Sequence, residues 1–140
     1  YRGRWEIEVF FYHLKVGFAV EARQFRDART MLNAVVFLMG PAWWLHYVQK
    51  LARVAPALPC TVCFRAVEWQ VLYRVQARQA PPATPPPLGE VFALFCRAGG
   101  HLGRKHDAPA GPKTLWRAQQ RLAIWLEAYT AFLANGKGCV

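Results

Sequence analysis

Apolar positions fall into five stretches separated by polar, proline-rich or glycine-rich joints. Residues 1–15 (YRGRWEIEVFFYHLK) spread Trp5, Val9, Phe10 and Leu14 over several faces of one helix, which is apolar enough to be buried on most sides. The longest apolar run, Met31 to Val48, is interrupted by Asn33, Gly40, Pro41 and His46. It predicts two buried helices or one helix kinked at Gly40-Pro41, with Trp43 and Trp44 in the core. Residues 54–66 (VAPALPCTVCFRA) are too broken by proline for a long helix and read as a connection with a short extended piece. Glu68 to Arg78 is helical again. Gln79 to Gly89 holds five of the ten prolines and reads as a stiff polyproline-type linker or surface loop. Glu90 to Arg97 predicts a short apolar helix, Gly99 to Pro112 a basic loop, and Thr114 the cap of a last helix reaching about Asn135. With no convincing alternating strand, the fold class is mainly α.

In that last helix Leu115, Leu122, Leu126, Tyr129 and Leu133 follow the 3–4 alternation of a helix–helix seam, interrupted by Gln119. Trp116, Trp125 and Phe132 widen the apolar face beyond one stripe. Such a helix either needs a partner inside the chain and another outside it, or is buried entirely within its own protomer.

The chain has 140 residues, 54% of them apolar, enough for one domain or one and a fraction. Eighteen Lys+Arg against eight Asp+Glu give +10, and Arg outnumbers Lys. Arginine suits bidentate phosphate contacts, so a polyanionic partner is favoured. The basic residues are scattered, which fits a folded surface following a phosphate backbone better than a disordered basic arm. A membrane span needs about twenty predominantly apolar residues, and Gly40-Pro41 inside residues 31–48 fits a buried helix better. A small membrane-associated helical protein is the weakest of three readings.

At about 100° per residue, Tyr1, Arg4, Glu8 and Lys15 fall within an arc of roughly 60° on the first helix. One carboxylate in line with two fixed cations and a phenol suits metal-assisted chemistry on a phosphate-bearing polymer. The same spacing fits a surface helix with an Arg4–Glu8 pair, which is the commoner outcome for such a pattern.

Tyr1, Arg4, Glu8 and Lys15 complete the spacing Y-x2-R-x3-E-x6-K, which resembles the Y-R-E-K signature of cut-and-paste DDE transposases of bacterial insertion sequences. Glu21-Ala22-Arg23-Gln24-Phe25 is similar to the element that follows the signature there. Glu68 to Tyr73 and Gly99-Gly100-His101-Leu102-Gly103-Arg104-Lys105, running on to Lys113-Thr114-Leu115-Trp116-Arg117, also fit.

The resemblance implies that residues 1–30 are the C-terminal edge of a truncated ribonuclease-H-like catalytic domain. Residues 31–140 would then be an α-helical C-terminal region, with a Pro-rich linker at 79–89 and a dimerisation helix at 114–135. It implies that Glu8 is the catalytic carboxylate, holding Mg2+ (or Mn2+) with two aspartates. Tyr1, Arg4 and Lys15 would bind phosphates near the cleaved end, where a flipped base is stabilised. From the loop itself, Arg104 and Lys105 stand among glycines that let backbone amides approach a phosphate, so the loop reads either as a DNA-backbone contact, slightly favoured, or as an ordinary solvated turn. The implied partners are transposon-end duplex DNA and a second copy of the chain in a paired-end complex, in the bacterial cytoplasm at the nucleoid. The only aspartates, Asp27 and Asp107, both follow Glu8, whereas the resembled family places two ahead of it. The chain is therefore expected to be a fragment, inactive as a nuclease alone.

Tyr12 stands where some members carry an additional lysine. His13 is expected to pack rather than act as a base, because metals activate the water in two-metal phosphoryl transfer. Cys60-x2-Cys63 is half of a zinc pattern, but Cys96, His101 and His106 lack the spacing of a second half; core or loop positions are expected. The runner-up function is a non-catalytic, basic, all-α DNA- or protein-binding module, such as a decayed transposase remnant.

Overall fold

A computed structural model describes residues 2–104 and 107–136 of the chain. Helix α1 (Arg2–Tyr12) passes directly into a π-helical turn (His13–Gly17), then a single 3-10 turn (Val20–Ala22). Asp27 accepts the Thr30 amide at 2.7 Å and its hydroxyl at 3.1 Å, which caps and starts α2 (Ala28–Val54). These two bonds also hold the Asp27 carboxyl below its ordinary range. A short 3-10 turn (Cys60–Val62) leads to α3 (Ala66–Leu72), whose start is closed by Glu68 accepting the Arg65 amide at 2.7 Å. A second π-helical turn (Tyr73–Ala77) ends at Arg78 in the left-handed region. The proline-rich stretch then precedes α4 (Leu88–Ala98), and α5 (Pro112–Gly136) closes the described chain. The mainly α expectation holds: no strand occurs among the described residues, only an isolated antiparallel bridge between Pro59 and Pro87.

That bridge pins the proline-rich stretch. Cys60 donates to the Pro86 carbonyl at 2.9 Å and Leu88 to the Leu58 carbonyl at 2.6 Å, so its end is anchored on the 54–66 connection. The core is drawn from all four later helices, with Leu45, Val48, Phe64, Leu72, Leu88, Val91, Phe95, Leu115 and Leu122 buried. Trp44 sits edge-on to Phe64 and Phe95 at centroid distances of 5.6 and 5.8 Å, arrangements worth about 0.5–1.5 kcal/mol each beyond their buried area. Trp44 packs against the core as expected, whereas Trp43 is exposed.

The end of α4 comes close to α5 at Gly99, where an added Cβ would lie 2.1 Å from the Thr114 carbonyl oxygen. Two arginines of α5 fasten the same end of α4: Arg121 donates to the Ala98 carbonyl at 2.8 Å and Arg117 to the Gly99 carbonyl at 3.3 Å. These bonds satisfy carbonyls that a helix end leaves without amide partners. The chain then leaves through Gly100 (φ +95) and Gly103 (φ +65), conformations that side chains other than glycine rarely adopt.

Three features differ from the sequence expectations. The two-helix alternative at Gly40-Pro41 does not occur; a single helix, α2, runs through Pro41. The proline removes one helical hydrogen bond, at a cost of about 3 kcal/mol. Leu38, Ala42, Leu45, Val48 and Ala52 form one buried face that straddles it, and that burial keeps the helix in register. The first ten residues of α2 are not core: Met31, Leu32, Val36 and Phe37 are exposed. Finally, α5 begins at Pro112, not after Thr114, since proline at a first helical position sacrifices no hydrogen bond. By length and composition α2 could cross a membrane, while its second half supplies the core of the helical assembly.

Candidate functional site

The Glu8-bearing helix lies against α2 through a polar clasp. Glu6 receives His46 Nε2 at 2.9 Å on one carboxylate oxygen and Lys50 Nζ at 2.5 Å on the other. Its carboxyl is held below the ordinary range, chiefly by the Lys50 hydrogen bond. Behind the clasp His13 is fully buried, its ring edge-on to His46 at 5.7 Å and its Nδ1 without a partner. Burial, and then the charge His46 can carry, push the His13 pKa down to about 4. His13 is thus a neutral packing residue, as expected. Phe10 adds an edge contact to Trp43 at 6.1 Å.

Arg4 and Glu8 do come together, Nε to Oε1 at 3.2 Å, one turn apart on the exposed side of α1. Their side chains are 79% and 53% exposed, so the pair contributes only about 0.3–0.5 kcal/mol. The expectation that this helix is buried on most sides is not met. Trp5, Ile7 and Phe11 are exposed, and among the residues of this helix whose burial is described Glu6, Val9 and Phe10 are half-buried and none is fully buried. Lys15 sits in the π-helical turn, where the α-helical spacing no longer applies, and pairs with Glu21 at 2.8 Å. Tyr1 and Lys105 lie outside the described residues. Arg104 is exposed, and its amide donates to Asp107 Oδ2 at 2.9 Å in a turn closed by the Asp107 amide on the Arg104 carbonyl.

Among the described residues, no group of three or more His, Cys, Asp or Glu is placed to share a metal ion. Cys60 and Cys96 are core residues and Cys63 is half-buried. Asp27 is engaged as a helix cap and Asp107 in the loop turn. Glu8 is therefore a single exposed carboxylate, and the residues around it do not make a metal site by themselves.

Sequence reasoning missed the clasp of Glu6 with His46 and Lys50; the two cations are one turn apart on α2, but Glu6 is about forty residues away and no local pattern links it to them. It also missed Tyr73, whose buried hydroxyl donates to Glu90 on α4. Burial and that carboxylate raise the phenol's pKa well above the ordinary range. A lone histidine inside an apolar run, as at His46, was the one available signal.

The seam of α5 divides along its length. Leu115, Ala118 and Leu122 are buried, Trp125, Leu126 and Tyr129 are half-buried, and Phe132 and Leu133 are exposed. The helix is not consumed within its own chain; its C-terminal third shows an apolar face to solvent.

No curated protein and no solved structure matches the chain. The family model described as the Tn5 transposase dimerisation domain matches residues 41–135, from Pro41 in the middle of α2 to the end of α5. This is about two-thirds of the sequence and includes the buried core, the arginine-fastened α4–α5 junction and the split seam. The chain belongs to the Tn5 transposase dimerisation domain family.

Proposed function

We propose that this chain is the C-terminal part of a cut-and-paste DDE transposase, self-associating through α5 and contacting transposon-end DNA. The observation that carries the reading is the conjunction of two independent features. The Tn5-type dimerisation domain covers residues 41–135, and the Y-R-E-K spacing stands ahead of it at Tyr1, Arg4, Glu8 and Lys15. The exposed Phe132 and Leu133 offer the surface for a second copy. Arg4, Lys15, Arg104 and Lys105, with Tyr1, would bind phosphates of the end duplex, and the net charge of +10 supports a polyanion partner.

In this reading Glu8 would supply one ligand to Mg2+ (or Mn2+), the other ligands being two aspartates that this sequence does not place ahead of it. Bound there, the metal would polarise a phosphodiester and activate the attacking oxygen. The chain's own residues do not complete that site, so its own contribution is binding and assembly. The setting would be the bacterial cytoplasm, at the nucleoid. The exposed Arg4–Glu8 pair favours a second reading, a basic helical binding module or transposase remnant with no chemistry at α1.

Fluorescence anisotropy with a labelled duplex, together with light scattering on the eluting protein, tests the proposal. The chain should bind duplex DNA with an affinity that falls steeply with salt, form a dimer, and leave the duplex uncut in Mg2+. A monomer with no DNA affinity at low salt would remove the reading, and cleavage would contradict the incomplete metal site. Disruption of the dimer by Phe132→Asp would place the interface on α5.

A further inference from the structure

Between the last turn of α2, the body of α4 and the segment following Gly100 lies a cavity of about 290 Å3, open to solvent. Arg53, Arg97 and His101 line it together with Gln49, and no carboxylate does. Phe92 and Cys96 form an apolar wall; burial pushes the Cys96 thiol up to about 12, so it adds no negative charge.

Helix-end electrostatics account for Arg53 in part and leave Arg97 unexplained. Each lies in the last turn of its helix, where a cation opposes the exposed carbonyls. At the end of α4, however, the carbonyls of Ala98 and Gly99 are already served by Arg121 and Arg117 from α5. At the end of α2 the Ala55 amide closes on Leu51 at 2.8 Å. Among the described residues, the ion pairs engage Arg4, Lys15, Lys50, Arg65 and His46, and neither Arg53 nor Arg97 has a carboxylate partner. Two guanidinium groups on one cavity repel each other, and an anion seated between them would relieve that repulsion. Two arginines bordering one cavity, with a polar amide and an aromatic wall, match a phosphoryl group carrying an organic substituent.

We propose that this cavity is a phosphate-binding site, with Arg53 and Arg97 as its two guanidinium donors and Phe92 as its apolar wall. The phosphoryl group can belong to a DNA backbone or to a free nucleotide. Only the first source rests on the transposase reading; the site itself does not.

The full chain would be tested with two probes, a labelled duplex followed by anisotropy and a nucleoside monophosphate followed by NMR at the His101 and Phe92 resonances. Arg53→Ala and Arg97→Ala would be compared with Arg74→Ala, an exposed arginine outside the cavity, with circular dichroism to confirm equal folding. If the source is DNA, each cavity substitution weakens duplex binding about tenfold and lowers the salt slope by about one, while Arg74→Ala changes both less. If the source is a free nucleotide, the monophosphate shifts the His101 and Phe92 signals, and Arg53→Ala or Arg97→Ala abolishes the shift. A chain that ignores the duplex but answers the monophosphate in this way would sink the DNA reading and leave the site intact. Duplex binding equally sensitive to all three substitutions, with no monophosphate response, would overturn the site and leave the DNA reading intact. Silence to both probes would overturn it as well.

Discussion

Replacing Gly99 by alanine sets two physical effects against each other. Gly99 has φ −78 and ψ −6, a conformation alanine adopts freely. Backbone entropy alone therefore favours alanine by about 0.4–1 kcal/mol. Space argues the other way. The new methyl would stand 2.1 Å from the Thr114 carbonyl oxygen and 2.9 Å from its carbonyl carbon and Cγ2, against an ordinary contact of 3.4 Å or more. The first obstacle is main chain, so no rotamer change relieves it, and α4 must move from α5 by about 1.3 Å. A radial gap of 0.5–1 Å already forfeits a quarter to a half of each dispersion contact. Such a shift would also stretch the arginine bonds to Ala98 and Gly99. Overpacking of this kind costs about 3 kcal/mol, so the steric term wins. Urea denaturation followed by far-ultraviolet circular dichroism should show Gly99→Ala less stable by about that amount, with a midpoint temperature lower by roughly 10 °C. Gly40→Ala is the comparison without inter-helix crowding: apart from its chain neighbours nothing lies within 4 Å of its added Cβ, the helical preference of alanine is opposed by the ring of the following Pro41, and stability should change by less than about 1 kcal/mol. A Gly99→Ala protein as stable as the parent would refute the close α4–α5 approach.

The buried neutral His13 should make stability pH-dependent. Its folded pKa of about 4 lies below the usual 6.5, so its contribution is complete above about pH 6.5 and is lost as pH falls toward 4. Urea titrations at pH 7, 5.5 and 4.5 should show a decline of up to about 3 kcal/mol, flattened in His13→Asn; an unchanged slope in that variant would remove the assignment. Tyr73→Phe deletes the hydroxyl bonded to Glu90 and should lower stability by about 1.5 kcal/mol, as measured by chemical denaturation. A neutral result would mean the bond is already exchanged with water. In a transposase that supplies the two upstream aspartates, Glu8→Gln should abolish strand cleavage and leave end binding nearly unchanged. Wild-type cleavage by that variant would reduce Glu8 to the surface partner of Arg4.

The helical class and most element positions were legible because they depend on local periodicity and on punctuation by proline and glycine. The short apolar helix at Glu90 to Arg97 and the seam along α5 are examples. Whether residues 31–48 make one helix or two was left open by the sequence: Pro41 is a local signal for a break, and the burial that carries the helix through it comes from residues of α3, α4 and α5 far away in sequence. Thr114 misled for a similar reason, since a good capping residue and a good first-turn proline stood two positions apart. At the candidate site, the Arg4–Glu8 pair followed from i,i+4 spacing, whereas the hold of Glu6 on His46 and Lys50 depends on how two helices cross. The π-helical turn at His13–Gly17, which takes Lys15 out of α-helical phase, has no signature in residue type.

Helix α2 ties two regions together in rotational phase. Its 27 residues make a rod about 40 Å long, and the family match begins at Pro41, close to its middle. The half before the proline shows Met31, Leu32, Val36 and Phe37 to solvent, and the half after it is keyed into the core. Inserting one residue near Gly40 would turn the outer half by about 100° and advance it by about 1.5 Å without disturbing the inner half. Whatever packs on the outer half would thus be swung around the domain by a change touching neither surface. At Pro41 the Phe37 carbonyl has no amide to accept, which makes this the softest link of the rod. A bend of 10° there carries the Ala28 end through roughly 3 Å, so torque and tilt pass between the two regions at one residue.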